Sequence, residues 1–368
     1  NYGILFDEVI RKVAPIDDFA DDDLSEVEVI DHDGFIAPGL IDMHIHGAAD
    51  ADAMDGKQES LQKIRETLVR SGTTAFMPTT MTMSEEKITT ALSAIREKMK
   101  QQDGTLGAKI LGAHLEGPFI NETYKGAQDP QYVQVPNDRW LKDYYDIVKV
   151  ITMAPECDED LAMTKAWLDE GILLSIGHSA CTYDEAKAAY DLGVTHVTHC
   201  FNAMSKFHHR EPGLVGAALL LPFTVDMITD GYHLRPEVVE AVTRWKDRDQ
   251  ICLITDAMRA SFLGDGVSEL GGQKVNIKNG KCTLDNGTIA GSILRFDDAI
   301  RNTLTFTKVG LVDVINMASI NVARELKIDD KKGSLKEGKD ADIVLFSPKL
   351  KVEGVYVEGM SQASLLKD

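Results

Sequence analysis

Apolar residues along this chain gather in short, nearly continuous runs that alternate with stretches of helical periodicity. From Pro38 onward the runs cover residues 40–46, 74–80, 109–116, 148–153, 172–178, 195–199, 223–229 and 251–256. Runs of this length without polar alternation read as strands buried on both faces. Between them, Leu61, Ile64 and Leu68 mark one helix face that ends near Gly72. Ser84 precedes Glu85 and Glu86 as an N-cap, and Ile88, Leu92, Ile95 and Met99 follow at spacings of four, three and four. Thr182 and Glu185 form a capping box for a helix that stops at Gly193, and Pro236 opens another. Eight buried strands separated by helices predict a closed parallel barrel of the (β/α)8 TIM type over residues 38–333.

The two ends of the chain have a different rhythm. Residues 3–6, 9–13 and 27–30 read as short strands, as do 341–346 and 352–357. The termini are therefore expected to pair into one small β-sandwich domain, built from 1–37 and 334–368. Residues 271–284 alternate as a hairpin around Asn279-Gly280. The acidic loop from Asp17 to Glu26 lacks the ordered ligands and glycine of a calcium loop and reads as a solvated turn.

The formal net charge of −20 over 368 residues excludes nucleic-acid and anionic-membrane binding as expected functions. Five cysteines without CxxC spacing suit a reducing compartment. No apolar run approaches the roughly 18 residues of a spanning helix, and the start of the chain, Asn1-Tyr2-Gly3, has no basic n-region. A soluble, cytoplasmic protein is expected.

Candidate chemistry sits at the C-terminal ends of the predicted strands. His44 and His46 are spaced i, i+2, which on a strand puts both imidazoles on one face, with Asp42 on the same side. Glu116 ends the third strand, His178 the fifth, His199 the sixth and Asp256 the eighth. In a barrel these ends converge on one mouth, where active sites of this architecture form. Six residues of metal-ligand or acid–base type at equivalent positions are hard to obtain from core packing, and they point to a metal hydrolase. His196, an odd number of residues from His199, should face the helices, and His114 should lie deeper on the face of Glu116; both read as structural. His32, in the terminal β segment, has no functional case.

The frame of His44-Ile45-His46, later histidines on strands five and six, and an aspartate on strand eight resembles the amidohydrolase superfamily. Within it, the chain resembles the N-acetylglucosamine-6-phosphate deacetylases. The residues that carry this are His114-Leu115-Glu116-Gly117-Pro118-Phe119, Gly177-His178-Ser179, Thr198-His199-Cys200-Phe201-Asn202-Ala203-Met204, Arg210-Glu211-Pro212-Gly213, Asp230-Gly231-Tyr232-His233 and Gly287-Thr288-Ile289-Ala290-Gly291-Ser292. The resemblance runs over essentially the whole chain.

It implies that Glu116, His178 and His199 hold a principal divalent metal. His44 and His46 help hold a second, with Glu116 bridging; zinc or iron, one or two ions per subunit, is expected. It also implies that Ala127, Gln128, Asn202, Ala203, His233 and the segment Ile289, Ala290, Gly291 contact the sugar. Some relatives carry histidine where this chain has Gln128, and that histidine is thought to polarise the acetyl carbonyl; with a weaker amide donor here, a second metal would take over the role. Arg210, in the cationic loop Ser205-Lys206-Phe207-His208-His209-Arg210, is the candidate for the 6-phosphate, since guanidinium grips phosphate bidentately. Family members are dimers in which this loop reaches the neighbouring site, so a homodimer is implied.

The expected reaction is hydrolysis of N-acetylglucosamine 6-phosphate to glucosamine 6-phosphate and acetate. Metal-activated hydroxide attacks the acetyl carbonyl, with Asp256 as general base and then general acid. The alternatives are another amidohydrolase acting on a different or cyclic amide, in which Lys149 on strand four would be the candidate bridging lysine, a purine deaminase, and an inactive metabolite-binding homologue.

Overall fold

The eight apolar runs pair in parallel around a barrel. The structure, a computed structural model, describes residues 2–20, 24, 25 and 27–367. The barrel strands in order are Leu40–Ile45, Thr73–Pro78, a third in two pieces (Lys109–Ile110 and Ala113–Glu116), Val148–Met153, Leu173–Ile176, His196–Val197, Thr224–Ile228 and Ile251–Ile254. Ladders run continuously from Ala113–Glu116 to Ile251–Ile254, and separately from Leu40–Ile45 through Thr73–Pro78 to Lys109–Ile110. The two arcs meet at two seams. On one, the Asp256 N–H donates to the His44 carbonyl (2.9 Å), and the Thr255 hydroxyl donates to Asp42 Oδ2 (2.6 Å). On the other, the Thr80 N–H donates to the His114 carbonyl (2.9 Å).

Burial on both faces explains the unbroken apolar runs: every residue of Leu40–Ile45 and of Thr73–Pro78 is buried. The third strand breaks at Gly112 because the fourth strand presses against it. A Cβ at Gly112 (φ 152°) would lie 2.5 Å from Lys149 Cγ and 2.7 Å from the Ile147 carbonyl oxygen.

Helices α1 (Gln58–Leu68), α2 (Glu85–Lys100), α3 (Ala162–Asp169), α4 (Tyr183–Leu192), α5 (Gly213–Leu220), α6 (Pro236–Trp245), α7 (Phe296–Phe306), α8 (Leu311–Met317) and α9 (Ile320–Glu325) surround the barrel. The predicted capping box on α4 is present in both directions, and Ser84 caps α2. No helix of the described residues is long and apolar enough to cross a membrane.

Strands from both ends of the chain pair outside the barrel. Phe35–Pro38 runs antiparallel to Ile343–Phe346, which pairs with Val352–Val357 and then Met360–Ser361. The hairpin of Tyr2–Phe6 and Ile10–Pro15 joins this edge through the Ile10 N–H, which donates to the Lys339 carbonyl (2.7 Å). Ile10, Ala341 and Ile343 form a small core of their own there. Residues 27–30, expected as a strand, are not one; Val27, Val29 and Ile30 are exposed, and no strand among the described residues pairs with them. Of the acidic loop, residues 17–19 form part of a 3-10 turn, and 21–23 and 26 lie outside the described residues. A three-stranded sheet, Gly266–Leu270, Gln273–Lys278 and Lys281–Thr283, follows the last barrel strand, with Asn279-Gly280 at its second turn.

Candidate metal centre

Each residue expected at the barrel mouth is there, delivered by the end of a strand. His178 (φ 49°), His199 (φ 30°) and Asp256 (φ 48°) all adopt left-handed backbone conformations. For non-glycine residues this costs about 1–3 kcal/mol each and is characteristic of functional sites. The turn at each of these positions ends the strand and leaves the side chain in the mouth.

Two triads of donor atoms result, His44, His46 and Asp256 in one and Glu116, His178 and His199 in the other, all buried. In the second, Glu116 Oε1 lies 3.1 Å from His178 Nε2 and 3.2 Å from His199 Nε2, and the two imidazole nitrogens are 3.2 Å apart. In the first, Asp256 Oδ1 lies 3.2 Å from His46 Nε2 and 3.7 Å from His44 Nε2. Glu116 stands between them, with Oε1 3.4 Å from His44 Nε2 and Oε2 3.4 Å from His46 Nε2.

This donor set fits a divalent cation. A carbonyl oxygen only accepts, so His178 Nδ1, 2.9 Å from the Tyr124 carbonyl, carries a hydrogen, as does His46 Nδ1, 3.1 Å from the Thr79 carbonyl. With a hydrogen on Nδ1, each ring turns its Nε2 towards the centre as the atom available to a metal, the arrangement that orients metal-binding histidines elsewhere. Among the described residues, neither ring nitrogen of the fully buried His44 has a hydrogen-bond partner, and His199 Nδ1 has none. Electrostatics agree. Burial opposes ionisation of Glu116 and Asp256, but the neighbouring histidines outweigh it and hold both carboxyls below the usual range. Burial likewise opposes charge on His46, yet Asp256 and Glu116 raise its pKa well above the ordinary value. Two buried carboxylates demand positive charge between them, whether proton or metal.

Beside the triads opens a cavity of about 270 Å³, lined in part by His46, Glu116, His178, His199 and Asp256. Of the residues expected to contact substrate, Ala127, Gln128, Asn202, Ala203, His233, Ile289 and Gly291 line it. Ala290 is buried behind this wall, its N–H donating to the Cys282 carbonyl (3.2 Å). Arg210 is not among the lining residues; it stands on the exposed loop with Nη1 2.8 Å from His209 Nε2. His114 is buried below the centre, with Nδ1 3.0 Å from the Met43 carbonyl and Nε2 2.7 Å from Thr152 Oγ1, as its structural reading requires. Lys149 is exposed and its Nζ donates to the Asp146 carbonyl (2.8 Å), so it cannot bridge metals as a carboxylated lysine.

Several contributors had little signal in the sequence. Met81, Leu270 and Thr288 also line the cavity, the first two without any polar signature. Asp230 accepts from His233 Nδ1 (2.7 Å) and from the N–H groups of Tyr232 and His233 (2.8 Å each), leaving Nε2 as the free nitrogen of His233. Its place in the Asp230-Gly231-Tyr232-His233 motif was the available clue. The carbonyls of Tyr124 and Thr79 have no sequence signature at all.

A barrel whose strand ends bring paired histidine–carboxylate triads to one mouth defines a class of metal-dependent hydrolases. The amidohydrolase family matches residues 35–361, and the chain belongs to that family. Among its relatives, it is 41% identical to N-acetylglucosamine-6-phosphate deacetylase of Bacillus subtilis, over 86% of this chain and 81% of that protein. It is 34% identical to N-acetylgalactosamine-6-phosphate deacetylase of Escherichia coli O157:H7, over 96% and 92%. The crystal structure of N-acetylglucosamine-6-phosphate deacetylase from Thermotoga maritima superposes with a TM-score of 0.88 at 35% identity, covering 98% of this chain and 94% of that one.

Proposed function

We propose that this protein is a metal-dependent deacetylase that converts N-acetylglucosamine 6-phosphate and water to glucosamine 6-phosphate and acetate. The observation that carries the reading is the pair of buried triads with Glu116 standing between them and Asp256 lining the cavity. The similarity to deacetylases of N-acetylhexosamine 6-phosphates over most of the chain supports the substrate class.

In this reading Glu116, His178 and His199 hold one divalent ion, and His44, His46 and Asp256 face a second. Imidazole and carboxylate donors without thiolate suit zinc or iron. When bound, such an ion polarises the acetyl carbonyl and lowers the pKa of water from about 15.7 towards 7. Asp256, held ionised by His44 and His46, accepts a proton from the attacking water. It returns that proton to the sugar nitrogen as the carbon–nitrogen bond breaks, because an unprotonated amine leaves poorly. His233, fixed through Nδ1 by Asp230, offers Nε2 to a substrate oxygen. Asn202, Ala203 and the backbone from Ile289 to Gly291 hold the sugar.

The 6-phosphate is assigned to Arg210 of the neighbouring subunit of a homodimer, since in its own subunit this loop lies outside the cavity. The barrel of residues 38–333 carries the chemistry, and the sandwich of 1–37 and 334–368 is accessory. Five unpaired thiols fit a cytoplasmic setting. The galactosamine epimer is a second reading, favoured by the E. coli relative.

Elemental analysis together with acetate release from both epimers, with and without phosphate, tests the reading. Bound metal with phosphate-dependent release from the glucosamine epimer supports it, and two equivalents support a role for His44 and His46. Preferred release from the galactosamine epimer selects the second reading. Bound metal without release from either substrate overturns both.

A further inference from the structure

Gln128 lines the cavity, yet both ends of its side chain are already engaged by the protein. A backbone N–H can only donate, so the Gln128 atom 2.7 Å from the Thr82 nitrogen is the amide oxygen, Oε1. That fixes the other end: Nε2 faces Glu116 and donates to Oε2 at 2.8 Å. The flipped amide would set two donors against each other at Thr82 and two acceptors at Glu116. Gln128 is 2% exposed, so neither clash could be relieved by water.

The anchors behind it are rigid. Thr82 is pinned against Gly117 (φ 71°), where a Cβ would lie 2.0 Å from Thr82 Oγ1. The Gln128 N–H donates to the Lys125 carbonyl (2.9 Å), and Lys125 Nζ reaches back to the Gln128 carbonyl (3.3 Å). Gln273 Nε2 donates to the carbonyl of the preceding Ala127, tying this loop to the sheet that follows the last barrel strand.

The consequence falls on Glu116. Its terminal torsion is intrinsically broad, and its two oxygens have different neighbours. Oε1 faces His178, His199 and His44, whereas Oε2 faces His46. We propose that Gln128 is a positioning residue for the metal centre: its Nε2–H fixes the plane of the Glu116 carboxylate so that Oε1 faces His178, His199 and His44 while Oε2 faces His46. This inference rests on the metal-dependent reading above. It also separates Gln128 from direct polarisation of the acetyl carbonyl. Turning the amide towards substrate would leave the Thr82 N–H unpaired and break a charge-assisted bond, roughly twice as strong as a neutral one.

The test compares wild type with Gln128→Ala and Gln128→Met, the second retaining side-chain volume so that folding is preserved. Each protein is stripped by chelation, titrated with zinc against a chromophoric chelator, and examined as the cobalt(II) form by visible absorption. Loss of an outer hydrogen bond to a ligand typically weakens metal binding about 10–100-fold. That loss for at least one ion, with an altered cobalt spectrum, is expected in both variants. Wild-type affinity and spectrum in the variants, with the defect confined to a raised KM, would make Gln128 a substrate contact and overturn the proposal. A wild-type protein that takes up no metal would instead overturn the functional reading, and this inference with it.

Discussion

Asp256 combines two properties that make it a clean probe of the chemistry. It is the proposed proton carrier, and its backbone occupies the left-handed region at φ 48°. Asparagine tolerates that conformation better than other non-glycine residues. Asp256→Asn should therefore keep the turn and the remaining donors while losing the group that accepts and returns a proton. Turnover should fall by at least about 10²-fold, the lower end of general acid–base contributions, with metal still bound. Acetate-release kinetics beside elemental analysis check this; near-normal turnover would remove Asp256 from the role. The same left-handed geometry at His178 and His199 shows that strain is distributed over the site.

Several barrel strands end sooner than the apolar runs predict. The fifth closes at Ile176, the sixth at Val197 and the eighth at Ile254, each two residues before its site residue. The missing residues are the ones that turn the chain into the mouth. Helix ends show the opposite economy. Helix α9 closes in a Schellman motif, with the Ile328 N–H donating to the Ala323 carbonyl (2.9 Å) and the Lys327 N–H to the Arg324 carbonyl (3.0 Å). The residue in the left-handed position is Lys327 (φ 56°), exposed and far from the cavity. Glycine is the usual residue there. Lys327→Gly should raise stability by about 1 kcal/mol, read as a higher denaturation midpoint with unchanged slope and unchanged activity.

His196 couples the barrel to its outer layer, with Nε2 2.9 Å from Asp226 Oδ1 and Nδ1 3.1 Å from Glu325 Oε2 on α9. Both ring nitrogens face carboxylates, so the imidazolium is the form that fits. Burial opposes its charge, but the two carboxylates outweigh burial and raise its pKa to about 10. A pKa raised on folding gives stability that is complete below the unfolded value of about 6.5 and is lost as pH rises through the folded value. Unfolding free energy should thus decline between about pH 6.5 and 10. In His196→Leu that slope should flatten; urea titrations at several pH values would show it, and an unchanged slope would refute the assignment. For the proposed phosphate contact of Arg210, Arg210→Ala should raise KM for the phosphorylated substrate far more than for N-acetylglucosamine. Equal effects on both would refute phosphate recognition there.

Local order alone fixed much of this protein. The alternation of buried runs with helical periodicity specified eight strands and the barrel, because a strand covered on both faces has no polar positions to place. The spacing of His44 and His46 and the strand-end positions of Glu116, His178, His199 and Asp256 were legible because a closed barrel brings equivalent strand ends together. What tertiary structure decided lay in contacts without a sequence signature. The carbonyls of Tyr124 and Thr79 set histidine tautomers, and the Thr82 N–H sets the orientation of Gln128. Every residue carries such backbone groups, so composition and spacing cannot reveal which of them meets a ligand. Residues 27–30 failed as a strand for a related reason: β propensity is local, but a ladder needs a neighbour that only the folded chain supplies.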